Sequence, residues 1–169
     1  MIKAIAKRKS IRSFMDKKVE PEKVESLLRA AMRAPSGING QPWEFIVVDD
    51  RAVLSAMQKL SPGGRALQTA PLAIVVCGET TWMGGAENPY WQQDCAAATQ
   101  NILLAVEALG LGAVWTGVYP NKDLYPKLHD FLNLPSNVQP FCCIPIGHPA
   151  GNDQPKDKWK PENIHYGKW

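Results

Sequence analysis

Cysteine is scarce in this chain. Cys77, Cys95, Cys142 and Cys143 are the only four in 169 residues, and none belongs to a Cys-x-x-Cys pair. Zinc-ribbon spacing is therefore absent, and the apolar stretches around Cys77, Cys95 and Cys142 predict buried, reduced thiols. His129, His148 and His165 are scattered and suggest no metal triad. Charge of one sign is scarce too. Nineteen basic residues against 16 acidic ones leave a net +3, too weak and too dispersed to argue for nucleic acid. The longest apolar candidate, residues 95–111, is interrupted by Gln100, Asn101 and Glu107, so no membrane partner is expected. The opening residues show no charged start followed by an apolar run and a cleavage site, so neither a secretory signal nor any location but the cytoplasm is expected. Gly-x-Gly-x-x-Gly after a strand and the P-loop are both missing, which leaves a Rossmann dinucleotide site unsupported.

What is present is ordinary globular material, 45% apolar and 21% charged. The length predicts one domain spanning residues 1–169, large enough to bury about 70% of its unfolded surface without disulfides or metal. Residues 2–7 read as a short opening helix. Pro21 to Arg33 reads as a second, with Val24, Leu27, Leu28 and Ala31 on one face and Ala34-Pro35 as its stop. Strands are expected at Trp43–Val48, Leu72–Cys77, Ala113–Val118 and Val138–Ile146, and further helices at Arg51–Leu60, Tyr90–Leu109 and Lys122–Leu132, the last capped by Asn121. Alternating strands and helices ordinarily suggest βαβ units and a mainly parallel sheet. The tail from Gly147 carries Trp159, Ile164, Tyr166 and Trp169, aromatic and apolar groups that need a surface to cover; a partner subunit is a natural place for them.

Three separated segments carry compatible chemistry. Arg8-Lys9-Ser10-Ile11-Arg12-Ser13-Phe14 offers three cations and two hydroxyls, and a guanidinium can grip a phosphate bidentately. Ala34-Pro35-Ser36-Gly37-Ile38-Asn39-Gly40-Gln41-Pro42-Trp43 combines glycines that allow close backbone approach with Ser36, Asn39 and Gln41, whose polar groups suit heterocycle carbonyls and ring nitrogens. Lys156-Asp157-Lys158 puts two ammoniums on one side of an extended chain. Each segment alone has a plainer explanation: a solvated basic turn, a helix-to-strand connection, a charged tail.

Together, and in this order, they resemble the nitroreductase family of flavoproteins. Its opening Arg-Arg-Ser-x-Arg-x-Phe or Tyr is matched by Arg8 to Phe14, with Lys9 in the second Arg position. Its Ala-Pro-Ser-x-x-Asn-x-Gln-Pro-Trp is matched by Ala34 to Trp43, its Gly-Leu-Gly turn and strand by Gly110 to Gly117, and its closing Ile-Gly-x-Pro and Pro-Lys-x-Arg by Ile146 to Pro149 and Pro155 to Lys158.

The resemblance implies an α+β fold, a three-layer sandwich whose central mixed sheet is flanked by helices, with the C-terminal tail extending over the partner of a homodimer. It implies FMN at the subunit interface. Arg8, Lys9 and Ser10 would meet the phosphate and ribityl end, joined by Lys156 and Lys158. Pro35, Ser36, Gly37, Asn39 and Gln41 would line the ring from the other subunit, and Thr116 and Gly117 would pass its reactive edge. Arg12 is expected to be mainly structural. Lys158 replaces the family's Arg, exchanging a bidentate grip for a point charge. A flavin contact from residues 49–71 is unassigned, with Arg65 and Gln68 as candidates. The implied activity is ping-pong transfer from NAD(P)H to a small-molecule oxidant such as a nitroaromatic or quinone, with no protein group required as catalytic acid or base. The loop from Thr80 to Trp91 is the expected substrate region, with Trp82, Tyr90 and Trp91 as stacking groups and its glycines as hinges, although its aromatics could equally pack on the core or a partner. Two alternatives stay open: a specialised enzyme of the same fold (dehalogenating or flavin-fragmenting) and a non-catalytic flavin-binding or sensing dimer. A dehalogenase lid would need a lysine, and none lies between Lys59 and Lys122.

Overall fold

The computed structural model of the chain describes residues 1–60, 64–82 and 85–169. The elements run α1 (Lys3–Lys7), α2 (Pro21–Ala31), β1 (Trp43–Val48), α3 (Arg51–Leu60), β2 (Leu72–Glu79), α4 (Trp91–Ala108), β3 (Gly112–Ala113), β4 (Thr116–Gly117), α5 (Tyr125–Phe131) and β5 (Val138–Gly147), with 3₁₀ turns at Gly37–Asn39, Gly64–Gln68 and Pro161–Asn163. Two expected elements differ. The strand over 113–118 is split into β3 and β4, and Val114 between them packs with Ile11, Phe14, Ala66 and Ala70. The helix over 122–132 starts later, because Asn121 Oδ1 accepts the Asp123 N–H and forms a turn that feeds the chain into α5.

The sheet order is β1-β2-β5-β3, with β4 also on β5, and every named pair is antiparallel. The mainly parallel sheet expected from the strand–helix alternation is therefore corrected. The parallel element is the bridge between Ser10 and Ala113 at the sheet edge. The reason lies in the pairing. From β2, α4 carries the chain back along the sheet, so β3 and β4 run in the same direction as β2, as in a βαβ unit. β5 then inserts between them, pairing Leu72 with Ile146 on one side and Ala113 with Ile146 on the other. The α3 excursion is not a crossover at all. It leaves from Val48 and returns beside it, since Val48 pairs with Ala73.

β2 is buried on both faces, so its alternate side chains serve two cores. Leu72, Ile74 and Val76 join Leu27 of α2 and Cys95, Ala98, Ile102 and Val106 of α4. Ala73, Val75 and Cys77 join Leu54 and Met57 of α3 and Leu124 and Leu128. This gives the α+β three-layer sandwich. The buried positions of α4 recur at three and four residues over most of its length, which makes it the central helix of its layer. All four thiols are free and buried. Loss of hydration pushes Cys77 and Cys143 up to about 12, and Cys95 and Cys142 higher still. Among the described residues, no helix is long and apolar enough to cross a membrane.

Candidate functional site

The N-terminal segment and the tail are laced together. Beyond α1 the chain extends, Ile11 N–H donates to Ala113 O at 2.8 Å, and Ile11 is buried beneath. Further on, Met15 N–H donates to His148 O at 2.9 Å, Ala150 N–H donates to Ser13 O at 3.1 Å, and Phe14 bridges Pro149. These bonds return the tail across the start of the chain. A cleft of about 850 Å³ lies between them, lined by Arg8, Lys9, Ser10 and Arg12 from the start of the chain and by Lys156, Lys158 and Trp159 from the tail. The five cations expected or weighed at a phosphate thus surround one space. Arg12, expected to be mainly structural, is exposed there and makes no hydrogen bond among the described residues. Lys9 differs from the rest: its ammonium lies 3.3 Å from Glu107 Oε2, near the end of α4.

The second cluster is neutral and strained. Ile38, Asn39 and Gln41 have φ of 47°, 60° and 49°, the left-handed region that a β-branched residue such as Ile38 rarely enters. The surroundings hold them there. Gln41 N–H donates to Ser36 Oγ at 3.0 Å, the Gln41 amide donates to Asn39 Oδ1 at 3.1 Å, and Gly37 N–H donates to Asp94 Oδ1 at 3.0 Å. A side chain at Gly37 would press on Tyr90, and one at Gly40 would collide with Trp82. The expected polar groups are therefore close together, but much of their hydrogen bonding is spent on one another. Pro35, Ile38, Asn39 and Gln41 remain exposed, Ile38 at 87%.

Of the expected stacking groups, Tyr90 is half exposed and Trp82 lies against the 37–40 turn. Trp91 is corrected: it is 5% exposed and packs edge-on against Tyr119 at 4.8 Å, so it is a core residue. The described residues on either side of 83–84 are bonded to one another, Thr81 bridging Glu87. Trp82 N–H donates to Ala86 O at 2.7 Å, and buried Asn88 accepts the Tyr90 N–H at 3.0 Å. Met83 and Gly84, part of the expected substrate loop, lie outside the described residues.

Thr116 is already engaged: its hydroxyl donates to Cys143 O at 2.6 Å, leaving exposed Gly117 and the backbone as the accessible surface there. The edge from Gly112, beside Ser10, to Gly117 spans about 15 Å of extended chain. Arg65 and Gln68 are exposed on the 3₁₀ turn whose Ala66 packs beside Ile11 and Val114. Sequence reasoning missed the residues that fix these parts. Arg51 clamps that turn, donating to Leu67 O at 2.6 Å and Ala70 O at 3.1 Å. Asp94 is buried, and its second carboxylate oxygen has no partner among the described residues. The available signal was Asp94, the one acid in the first turn of this helix.

The two clusters occupy opposite corners. α4 touches the neutral loop through Asp94 near its start and the cationic cleft through Glu107 near its end, a rise of about 20 Å. The loop leads into β1, the edge strand opposite β3 and β4.

The model of the Nitroreductase family matches residues 5–65 and 61–148. A protein of Methanothermobacter thermautotrophicus, provisionally named an NADH dehydrogenase/NAD(P)H nitroreductase, is 42% identical over 170 residues, covering 100% of this chain and 87% of its own. A crystal structure of a protein given the same provisional name, from Bacteroides thetaiotaomicron, is 47% identical with a TM-score of 0.92, covering 98% of this chain and 96% of its own. An FMN-dependent nitroreductase of Clostridium difficile is 31% identical with a TM-score of 0.91, covering 100% of both chains.

Proposed function

This chain belongs to the nitroreductase family, and from that premise we propose that it is an NAD(P)H-dependent, FMN-binding oxidoreductase that reduces electron-poor small molecules, such as nitroaromatics or quinones, as a homodimer. The single observation that carries the reading is the convergence of Arg8, Ser10, Lys156 and Lys158, from the two ends of the chain, on one cleft. A dianionic phosphate satisfies such a set. A guanidinium supplies paired donors, the ammoniums supply charge and Ser10 adds a neutral hydrogen bond. From there the Gly112–Gly117 edge leads away with exposed Gly117 near its end, which suits a flat ring following a ribityl chain. The ring would meet Pro35, Ser36, Gly37, Asn39 and Gln41 of a second copy, because a chain's own loop lies at the far corner.

When bound, FMN would supply the hydride chemistry, accepting from NAD(P)H and passing electrons on to the oxidant by a ping-pong course. The protein's tasks are the remaining ones. Arg8 and the tail lysines hold the anionic end. The strained 36–41 loop presents backbone and amide groups in fixed directions, which orients a heterocycle without any reorganisation at the moment of reaction. Trp82 and Tyr90 stand beside that loop, where they would cover the ring and limit water. Trp159 and Tyr166, 72% and 90% exposed, gain a surface only when a second chain is present.

The test is a titration of flavin-free protein with FMN, followed by NADH and NADPH oxidation with a nitroaromatic and a quinone acceptor. Saturable FMN binding and acceptor-dependent oxidation are expected. A protein that remains colourless with excess FMN ends the reading.

A further inference from the structure

The cations around the cleft are not equivalent, and the difference originates in α4. Glu107 lies in the last turn of that helix, at the negative end of its dipole, and no basic residue of the helix offsets it. Its side chain is only 17% exposed, so solvent screens it poorly. The Lys9 ammonium fills the deficit at 3.3 Å and also reaches Lys7 O at 3.5 Å. Arg8, Lys9 and Ser10 all line the cleft, but of the three it is Lys9 that is paired with α4. The Arg8 guanidinium has no hydrogen-bonding or ionic partner among the described residues, its backbone N–H donating to Ala4 O.

We propose that Glu107 is a positioning residue for this cleft: it engages the Lys9 ammonium, withholds that charge from the phosphate and leaves Arg8 as the grip from this segment. The assignment rests on the flavoprotein reading above. It narrows the part expected of Lys9, from phosphate ligand to counter-ion of a helix end. It also makes a residue outside the phosphate-binding set control phosphate affinity, since a fixed carboxylate beside the cleft opposes a dianion.

The experiment is a titration of flavin-free wild-type, Glu107→Gln, Lys9→Met and Arg8→Met proteins with FMN and, as the phosphate-free control, riboflavin. Neutralising Glu107 frees the ammonium. Glu107→Gln should bind FMN about two- to fivefold more tightly than wild type, on the scale of a part-exposed ion pair. Riboflavin affinity should be unchanged, and added salt should erode the gain. Lys9→Met should lower the melting temperature while costing less FMN affinity than Arg8→Met. Equal or weaker FMN binding by Glu107→Gln, the same gain with riboflavin, or a loss in Lys9→Met as large as that in Arg8→Met would overturn the assignment. If Lys9→Met does not fold, Glu107→Gln decides alone. Wild-type protein that binds neither flavin would overturn the flavoprotein reading itself, a result distinct from wild-type binding with no response to Glu107→Gln.

Discussion

At the Gly112 end of the sheet, Arg8, Arg12, Lys156 and Lys158 stand around an open cleft with their charges largely uncommitted. At the Trp43 end, the 36–41 loop is neutral, held in left-handed conformations and bonded internally through Ser36, Asn39 and Gln41. The first corner is built for affinity, because charge acts at a distance and tolerates loose geometry. The second is built for direction, because hydrogen bonds to a ring demand fixed angles and backbone strain survives only where neighbours over-determine it. One chain separates them by the length of α4. Under the proposed reading, a ligand that meets both would sit between two copies.

The largest effect should come from the charged corner. Arg8→Ala removes a charge-assisted contact to a dianion and should weaken FMN binding by about ten- to a hundredfold, measured by flavin fluorescence titration. Full flavin content in that variant would mean that this corner is not the phosphate site. Next comes a complementation test of the opposed corners. Gly40→Val, whose side chain would strike Trp82, should distort the loop and lose flavin by itself. Unfolding and refolding it together with Arg8→Ala should restore part of the flavin, since a mixed dimer holds one intact pair of corners. No recovery, with mixed dimers verified, would show that both corners serve a site within one chain.

Asp94→Ala tests the neutral corner alone. Leaving the Gly37 N–H without its acceptor should cost about 1–3 kcal/mol, visible as a lowered melting temperature with FMN absent. An unchanged melting temperature would show that Tyr90 and Trp82 suffice to hold the loop. The smallest effect belongs to the tail's anchorage. A backbone N–H and the Lys23 and Lys17 ammoniums hold the Glu20 carboxyl down to about 2 from its ordinary 4.5, and His148, where the tail departs, lies 3.3 Å away. A lowered folded-state value means stabilisation that is complete above pH 4.5 and lost as pH falls toward 2. Glu20→Gln should therefore melt slightly below wild type at neutral pH, and the gap should close across that window. A gap that persists at pH 2 would place the effect in packing rather than charge.

The core should contrast with both corners. With all four thiols buried and their pKa values raised, native protein at pH 8 should resist alkylation, and unfolded protein should react at every cysteine. Rapid native labelling would show that the sheet opens.

The linear order of residues determined a good deal. Short β-branched runs bounded by Pro, Asp or Gly marked β1 and β2, and three- and four-residue spacing marked α2, since each depends only on residues near one another in the chain. The motifs from Arg8 to Phe14 and from Ala34 to Trp43 located both corners. Pairing lay beyond it. That β5 inserts between β2 and β3, turning an expected parallel sheet antiparallel, depends on contacts between residues distant in the chain, which no local pattern encodes. Trp91 reads as a loop aromatic until Tyr119 closes over it. Lys9 reads as one more phosphate cation until α4 brings Glu107 beside it. Hydrophobic periodicity fixes a segment's shape and the face it buries, whereas a side chain's partner, and hence its role, is settled only when separate segments pack together.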